Sequence, residues 1–292
     1  MAKNKLFEAA KIAAAETKEN KKNTKSKETD NNTEEPKKST RSVRLINDNS
    51  NFAVREAYKA LRTNIVFALP ENDSNVILIT SSWPLEGKTT NCANLAVVFS
   101  QMGEKTLLID ADLRKPRIHK IFKLNSKIGL SNVLRNLTPY EEAIQHTNYS
   151  DLDILSSGHI PPNPAELLAS EEMKKLLEKL KKTYKYILID TPPVNMVSDA
   201  LVLSPVVSGI VMVVRQSMTV HKSVTEALEK INFAGAKVLG FILNDSIDPK
   251  DSYYSNKKSK SKKYYYKNYY KNYYGYYGSY GSTPKNNEGT TN

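Results

Sequence analysis

The chain has a single cysteine, Cys92, among its 292 residues. That excludes an internal disulfide and any cysteine-based metal cluster. Cys92 falls inside a predicted helix, where the expected role is a small buried residue. Long apolar runs are missing too: no stretch approaches the ~20 residues that a membrane-spanning helix needs. The opening, MAKNKLFEAAKIAAAETKENKK, alternates charge with alanine and carries neither a signal-peptide core nor a cleavage site. Together these absences predict a cytoplasmic chain. Acid is scarce at both ends. Lys+Arg stand against Asp+Glu at 12 to 7 in residues 1–44, 22 to 22 in 45–249 and 9 to 2 in 250–292. A neutral middle between basic, polar ends reads as one globular domain, 45–249, between a disordered arm (1–44) and a flexible tail (250–292). Basic ends suit an anionic membrane face, nucleic acid or an acidic partner, or simply solubility.

What is present alternates. NFAVREAYKALRTNIVFAL has helical apolar spacing from about Asn51, a candidate N-cap. Candidate strands follow at 75–80, 105–110, 152–155, 186–190, 209–214 and 237–243. Helical patterns lie between them: TTNCANLAVVFSQM, a pair within 131–146, one long helix in PAELLASEEMKKLLEKLKKT, a short one near 198–204, and VHKSVTEALEKINFA. Near-continuous apolar strands separated by helices predict an α/β fold, a mostly parallel sheet with helices on both faces. Ligands of such sheets bind beyond the strands' C-terminal ends.

Three of those ends carry chemistry. After 75–80 comes TSSWPLEGKTTNCANLA, whose Gly87-Lys88-Thr89 has the form of a P-loop terminus between strand and helix. Backbone amides there cradle phosphate, Lys88 reaches the β- and γ-phosphates, and Thr89 ligates Mg²⁺. The general P-loop pattern is incomplete, because Ser82 stands where its first glycine belongs. The strand at 105–110 ends LLIDADLRKPR: Asp110 and Asp112 suit a Mg²⁺ water shell or proton acceptance, although Asp112 also suits a turn or cap. The strand at 186–190 ends in Asp190 within YILIDTPP, as a Walker B carboxylate does. The expected ligands are ATP and Mg²⁺.

At these residues the chain resembles the bacterial tyrosine kinases (BY-kinases), P-loop enzymes of the MinD/ParA-like branch. The resemblance covers about residues 45–292. Their Walker A, S-x-x-P-G-E-G-K-[ST]-T, is matched by Ser81 and Ser82, Pro84, Glu86, Gly87, Lys88, Thr89 and Thr90. Their Walker A′ is matched by LLIDADLRKP and their Walker B by YILIDTPP. PPNPAELLAS and a C-terminal tyrosine cluster match as well. The resemblance implies a protein-tyrosine kinase with Lys88, Asp110, Asp112 and Asp190 as catalytic residues. Asp110 would polarise the acceptor hydroxyl, and Thr89 with the three aspartates would hold the metal. Arg114 is assigned to charge stabilisation or a neighbouring subunit, and Asn244 to adenine.

The resemblance also implies a homo-oligomeric ring built through Glu56, Lys59 and Arg62, and a cognate tyrosine phosphatase. It further implies a membrane adaptor of the polysaccharide co-polymerase type, which activates the kinase and recruits it to the inner face of the membrane. The implied process is capsular or extracellular polysaccharide synthesis. Two positions depart from the family pattern. Leu85 replaces a glycine after the loop proline, at a cost of about 1–3 kcal/mol if the position needs a positive φ. Lys59 replaces an arginine and loses its planar fork.

Twelve of the 17 tyrosines lie between Tyr253 and Tyr280. Tyr264, Tyr265, Tyr266, Tyr269, Tyr270, Tyr273, Tyr274, Tyr276, Tyr277 and Tyr280 form the expected autophosphorylation cluster. A flexible chain of roughly twenty residues spans on the order of 25 Å, enough to reach a neighbouring subunit's site. Two other readings compete. A MinD/ParA-like switch ATPase would carry a signature lysine where Trp83 stands, and a nucleic-acid binder could stack the Lys/Tyr tail on bases. The neutral core argues against nucleic acid as the main partner.

Overall fold

The structure, a computed structural model, describes residues 45–72 and 74–245. The arm, the tail and every tyrosine of the cluster lie outside the described residues.

Seven strands form one sheet: β1 (Asn75–Ser81), β2 (Thr106–Asp110), β3 (Ile144–His146), β4 (Leu152–Leu155), β5 (Tyr186–Asp190), β6 (Gly209–Arg215) and β7 (Val238–Asn244). Their spatial order is β3-β4-β2-β5-β1-β6-β7. All pairs are parallel except β3 with β4. The central strands read as unbroken apolar runs because each buries both of its faces. Val76 and Leu78 point into one core, and Ile77 and Ile79 into the other.

Helices α1 (Phe52–Ala68), α2 (Lys88–Ser100) and α3 (Ile118–Phe122) contribute to the second of these cores. The first takes residues from α4 (Leu130–Leu134), α5 (Tyr140–Ala143), α6 (Pro164–Leu168), α7 (Glu171–Leu180), α8 (Asp199–Val202) and α9 (His221–Phe233). Asn51 caps α1, its side chain accepting from the Ala53 amide at 2.8 Å. Ala57, Tyr58, Leu61 and Ile65 form its buried stripe, at the spacing expected of one helix face. The fold is the predicted α/β architecture with a mostly parallel sheet covered on both sides.

Three details go beyond or differ from the sequence expectation. The helical pattern within 131–146 ends at Ala143, and Ile144–His146 turns extended to pair antiparallel with Leu155–Asp153. The long helix expected after residue 163 is two helices, broken where Ser170 caps α7 by accepting from the Met173 amide at 3.3 Å. Helix α3, which the sequence reading did not assign, begins where Asp110 accepts the amides of Arg117 and Ile118. Residues ahead of the α1 cap belong to the core as well, within the expected 45–249 domain: Ile46 is buried, its amide bonded to Asn94 Oδ1 at 2.9 Å.

Candidate active site

The sheet register sets Asp110 directly beside Asp190, at the adjacent C-terminal ends of β2 and β5. Strand β1, on the other side of β5, ends in the loop that leads to α2. Lys88, the first residue of α2, reaches across that end. Its Nζ lies 2.9 Å from Asp112 Oδ2, 3.5 Å from Asp190 Oδ1 and 3.2 Å from Thr89 Oγ1. Residues 88, 89, 110, 112 and 190, read separately from three strand ends, therefore meet in one place. Asp112 also serves its own loop, its Oδ1 accepting from the Lys115 amide at 3.0 Å. Asp110 Oδ2 holds the amides of Arg117 and Ile118 at 3.1 and 3.0 Å. Asp110 Oδ1 and Asp190 Oδ2 are buried with no hydrogen-bond partner.

Three buried carboxylates around one ammonium leave an excess of negative charge. Burial works against the Lys88 charge, but Asp112 and Asp190 outweigh it and push its pKa up. Burial raises Asp110 well above the usual carboxylate range, and the charges of Asp190 and Asp112 add to this. Burial likewise lifts Asp190, to about 6, with Lys88 opposing the shift. One lysine cannot neutralise three acids in a low dielectric. A pocket of this kind is suited to a further cation.

The loop before α2 is braced from outside. Glu86 folds back inside it, accepting from Ser82 Oγ at 3.0 Å, from the Trp83 amide at 3.0 Å and from Thr219 Oγ1. Burial pushes its carboxyl up, and the bond from Thr219 leads the forces opposing that shift. Three successive carbonyls are tied by three side chains. Arg215 Nη1 donates to Leu85 O at 3.1 Å, Asn244 Nδ2 to Glu86 O at 2.9 Å, and Asn91 Nδ2 to Gly87 O at 3.0 Å. In a trans peptide the N–H points opposite to the C=O of the same plane. The tethers therefore turn the amides of Glu86, Gly87 and Lys88 away from those donors, as an anion-binding nest requires.

Leu85 has φ 68° and Gly87 φ 96°. Leu85 thus occupies the left-handed conformation that favours glycine. A Cβ on Gly87 would stand 2.1 Å from Asn244 Nδ2, so only glycine fits beneath that tether. Pro84 is buried in the loop and Thr90 is half-buried in the first turn of α2.

The remaining predicted residues do not join the carboxylates. Arg114 grips the buried Asp199 of α8 with two bonds, at 3.0 and 2.9 Å. Asn244, expected at adenine, places its amide on the Glu86 carbonyl. Glu56 and Lys59 pair with each other at 2.8 Å on an exposed face of α1. Arg62 instead turns inward and donates to Val98 O at 2.6 Å, near the C-terminal end of α2, where a cation is favoured. Sequence reasoning missed Asp199, Arg215 and Thr219. Each acts on a residue 85 to 133 positions away, and no local pattern marks such a pair.

Among the described residues, no three His, Cys, Asp or Glu side chains form a metal cage of their own. Mg²⁺ keeps water and phosphate in its shell and needs only one or two protein carboxylates. The unpartnered oxygen of Asp190, with Asp112 and the Thr89 hydroxyl around the same lysine, fits that kind of ion. No helix of the described residues is long and apolar enough to cross a membrane.

A parallel sheet with a phosphate-binding loop after β1 and carboxylates on two neighbouring strand ends defines a P-loop nucleoside triphosphatase of the MinD-like branch. Residues 74–237 match the AAA domain family model AAA_31. The septum site-determining protein MinD of Pyrococcus horikoshii OT3, complexed with Mg-ADP, superposes with a TM-score of 0.51 at 26% identity. That match covers 61% of this chain and 76% of MinD. Similarity is higher to Bacillus subtilis (strain 168) tyrosine-protein kinase YwqD, at 45% identity over 199 residues. It covers 68% of this chain and 84% of YwqD. The crystal structure of the chimerical protein CapA2B2 superposes with a TM-score of 0.64 at 42% identity, covering 67% of this chain and 86% of that one. The chain belongs to the bacterial tyrosine kinase family, and its class is protein-tyrosine kinase.

Proposed function

We propose that this chain transfers the γ-phosphoryl group of ATP to protein tyrosines, its own C-terminal cluster among them. The observation that carries this reading is the convergence of Lys88, Asp110, Asp112 and Asp190 beside a loop whose amides form an anion nest. Lys88 and the loop amides bind and orient the phosphates. Thr89, Asp112 and Asp190 hold Mg²⁺ or its waters, and the ion supplies the positive charge that the three acids demand. Asp110, whose Oδ1 is buried without a partner, accepts the phenol proton. The phenol oxygen forms the new P–O bond, the bond to the β-phosphate oxygen breaks, and ADP leaves. A phenol titrates near pH 10, so it needs this local acceptor at neutral pH. Positioning and charge stabilisation are most of what phosphoryl transfer requires.

The acceptors we propose are Tyr264 to Tyr280, presented to a neighbouring subunit of a ring. Glu56 and Lys59 stand exposed on α1 for that assembly, and Arg62 orients the helix from beneath. A membrane adaptor recruits and activates the kinase, a cognate phosphatase reverses it, and the process served is capsular or extracellular polysaccharide synthesis. A mixing experiment tests the transfer between subunits. A Lys88→Met chain with its tail intact is incubated with ATP, Mg²⁺ and an active chain whose tail tyrosines are phenylalanine. Phosphotyrosine on the inactive chain's tail is expected; its absence, while the active wild type labels itself, would refute transfer between subunits.

A further inference from the structure

A run of buried side chains joins the segment before α1 to the phosphate loop, and every bond in it points the same way. The Ile46 amide donates to Asn94 Oδ1 at 2.9 Å. Asn94 Nδ2 donates to the Tyr58 hydroxyl at 3.5 Å, and that hydroxyl donates to Asn91 Oδ1 at 3.0 Å. Asn91 Nδ2 donates to Gly87 O at 3.0 Å. Each amide uses its oxygen towards the start of the run and its nitrogen towards the loop. Flipping Asn94 would set its amide nitrogen against the Ile46 N–H, and flipping Asn91 would set its oxygen against the Gly87 carbonyl, so the two backbone ends of the run fix its direction. Chains of this kind strengthen one another where the local dielectric is low. Tyr58, Asn91 and Asn94 are all buried. Burial lifts the Tyr58 pKa to about 12, which keeps the hydroxyl a proton donor at every physiological pH.

The end of the run has a defined consequence. Gly87 O already accepts the Asn91 backbone amide at 2.9 Å, the first bond of α2. The Asn91 side chain adds a second donor to the same oxygen. The Gly87 carbonyl and the Lys88 amide share one peptide plane, so two bonds on the oxygen set where that N–H points. Arg62 ties α1 to the far end of α2 through Val98 O. The middle of α1 is thus fastened to both ends of α2, and one of these fastenings reaches the phosphate nest.

We propose that Tyr58 is a positioning residue for the phosphate loop, and that α1 with the segment before it sets nucleotide affinity through the Tyr58–Asn91–Gly87 relay. The relay touches no reacting atom. It rests on the nucleotide-binding reading of residues 82–89, but not on which acceptor receives the phosphoryl group. By linkage, whatever binds α1 and shifts it changes nucleotide affinity, and nucleotide changes that binding by the same factor.

The test is ADP affinity by calorimetry for the wild type, Tyr58→Phe, Asn91→Ala and the double variant. Tyr58→Phe keeps the packed ring and removes only the hydroxyl. Loss of one net hydrogen bond's worth of loop positioning predicts binding weaker by about fivefold. The double variant should bind no more weakly than Asn91→Ala alone, because both changes break one relay. Amide exchange of residues 85–90 should quicken in folded Tyr58→Phe, which a merely structural role would not produce. Tyr58→Phe binding within twofold of the wild type, or losses that multiply in the double variant, would overturn the proposal. Absence of ADP binding by the wild type would overturn the site reading and this proposal with it.

Discussion

Leu85 holds φ 68° in the middle of the phosphate loop, where a branched side chain costs about 1–3 kcal/mol. The conformation persists because Arg215 holds the Leu85 carbonyl while Glu86 anchors the next residue from within. Leu85→Gly should therefore stabilise the fold by about 1 kcal/mol, strain relief being partly offset by the freer unfolded chain. The check is a higher denaturant midpoint at unchanged slope; a lower midpoint would mean that the side chain packs usefully. Glu86 gives a prediction in pH. Its folded pKa lies above the unfolded value because burial disfavours its charge. Its favourable contribution is present below the unfolded carboxylate pKa and is lost as pH rises through the folded one. Wild type should lose stability relative to Glu86→Gln over that rise, read from thermal melts at a series of pH values. Parallel curves would contradict the assignment.

At the scale of elements, the Arg114–Asp199 bridge fastens the loop after β2 to α8. Arg114→Ala leaves a carboxylate buried without its counter-charge and should destabilise the domain by about 3–5 kcal/mol. Adding Asp199→Ala should recover much of that loss, as chemical denaturation of both variants would reveal. The sequence carried the elements unevenly. Strands β1, β2, β5 and β6 were legible because burial on two faces demands unbroken apolar runs. β3 was not, since Ile144-Gln145-His146 is too short to show a period and is extended only by pairing with β4. Ser170 was hidden because a capping serine inside an amphipathic run looks like a polar surface position. Asp110 and Asp190 were readable from their place at strand ends. Their braces were not, because Asp199, Arg215 and Thr219 meet their partners only through the folded topology.

At the scale of the molecule, the last described residues already lie against the phosphate loop: Asn244 bonds Glu86 O, and Asp245 pairs with Arg215 at 3.1 Å. In the sequence, residues 250–292 hold seven more cations than anions, and ten tyrosines cluster at 264–280. Each phosphate adds about −1.5 to −2 charges, so roughly four phosphates would cancel that excess and further ones would reverse it. On the proposed function, the charge of the cluster would follow the number of phosphates and not any single position. The central claim is that the Lys88 site transfers phosphate to tyrosine. Its most direct test is incubation of the purified chain with ATP and Mg²⁺, followed by mass-spectrometric mapping of phosphotyrosine, beside Lys88→Met. The account predicts phosphate on residues 264–280 of the wild type and none on the variant. ATP hydrolysis without phosphotyrosine, or equal labelling of the variant, would contradict it.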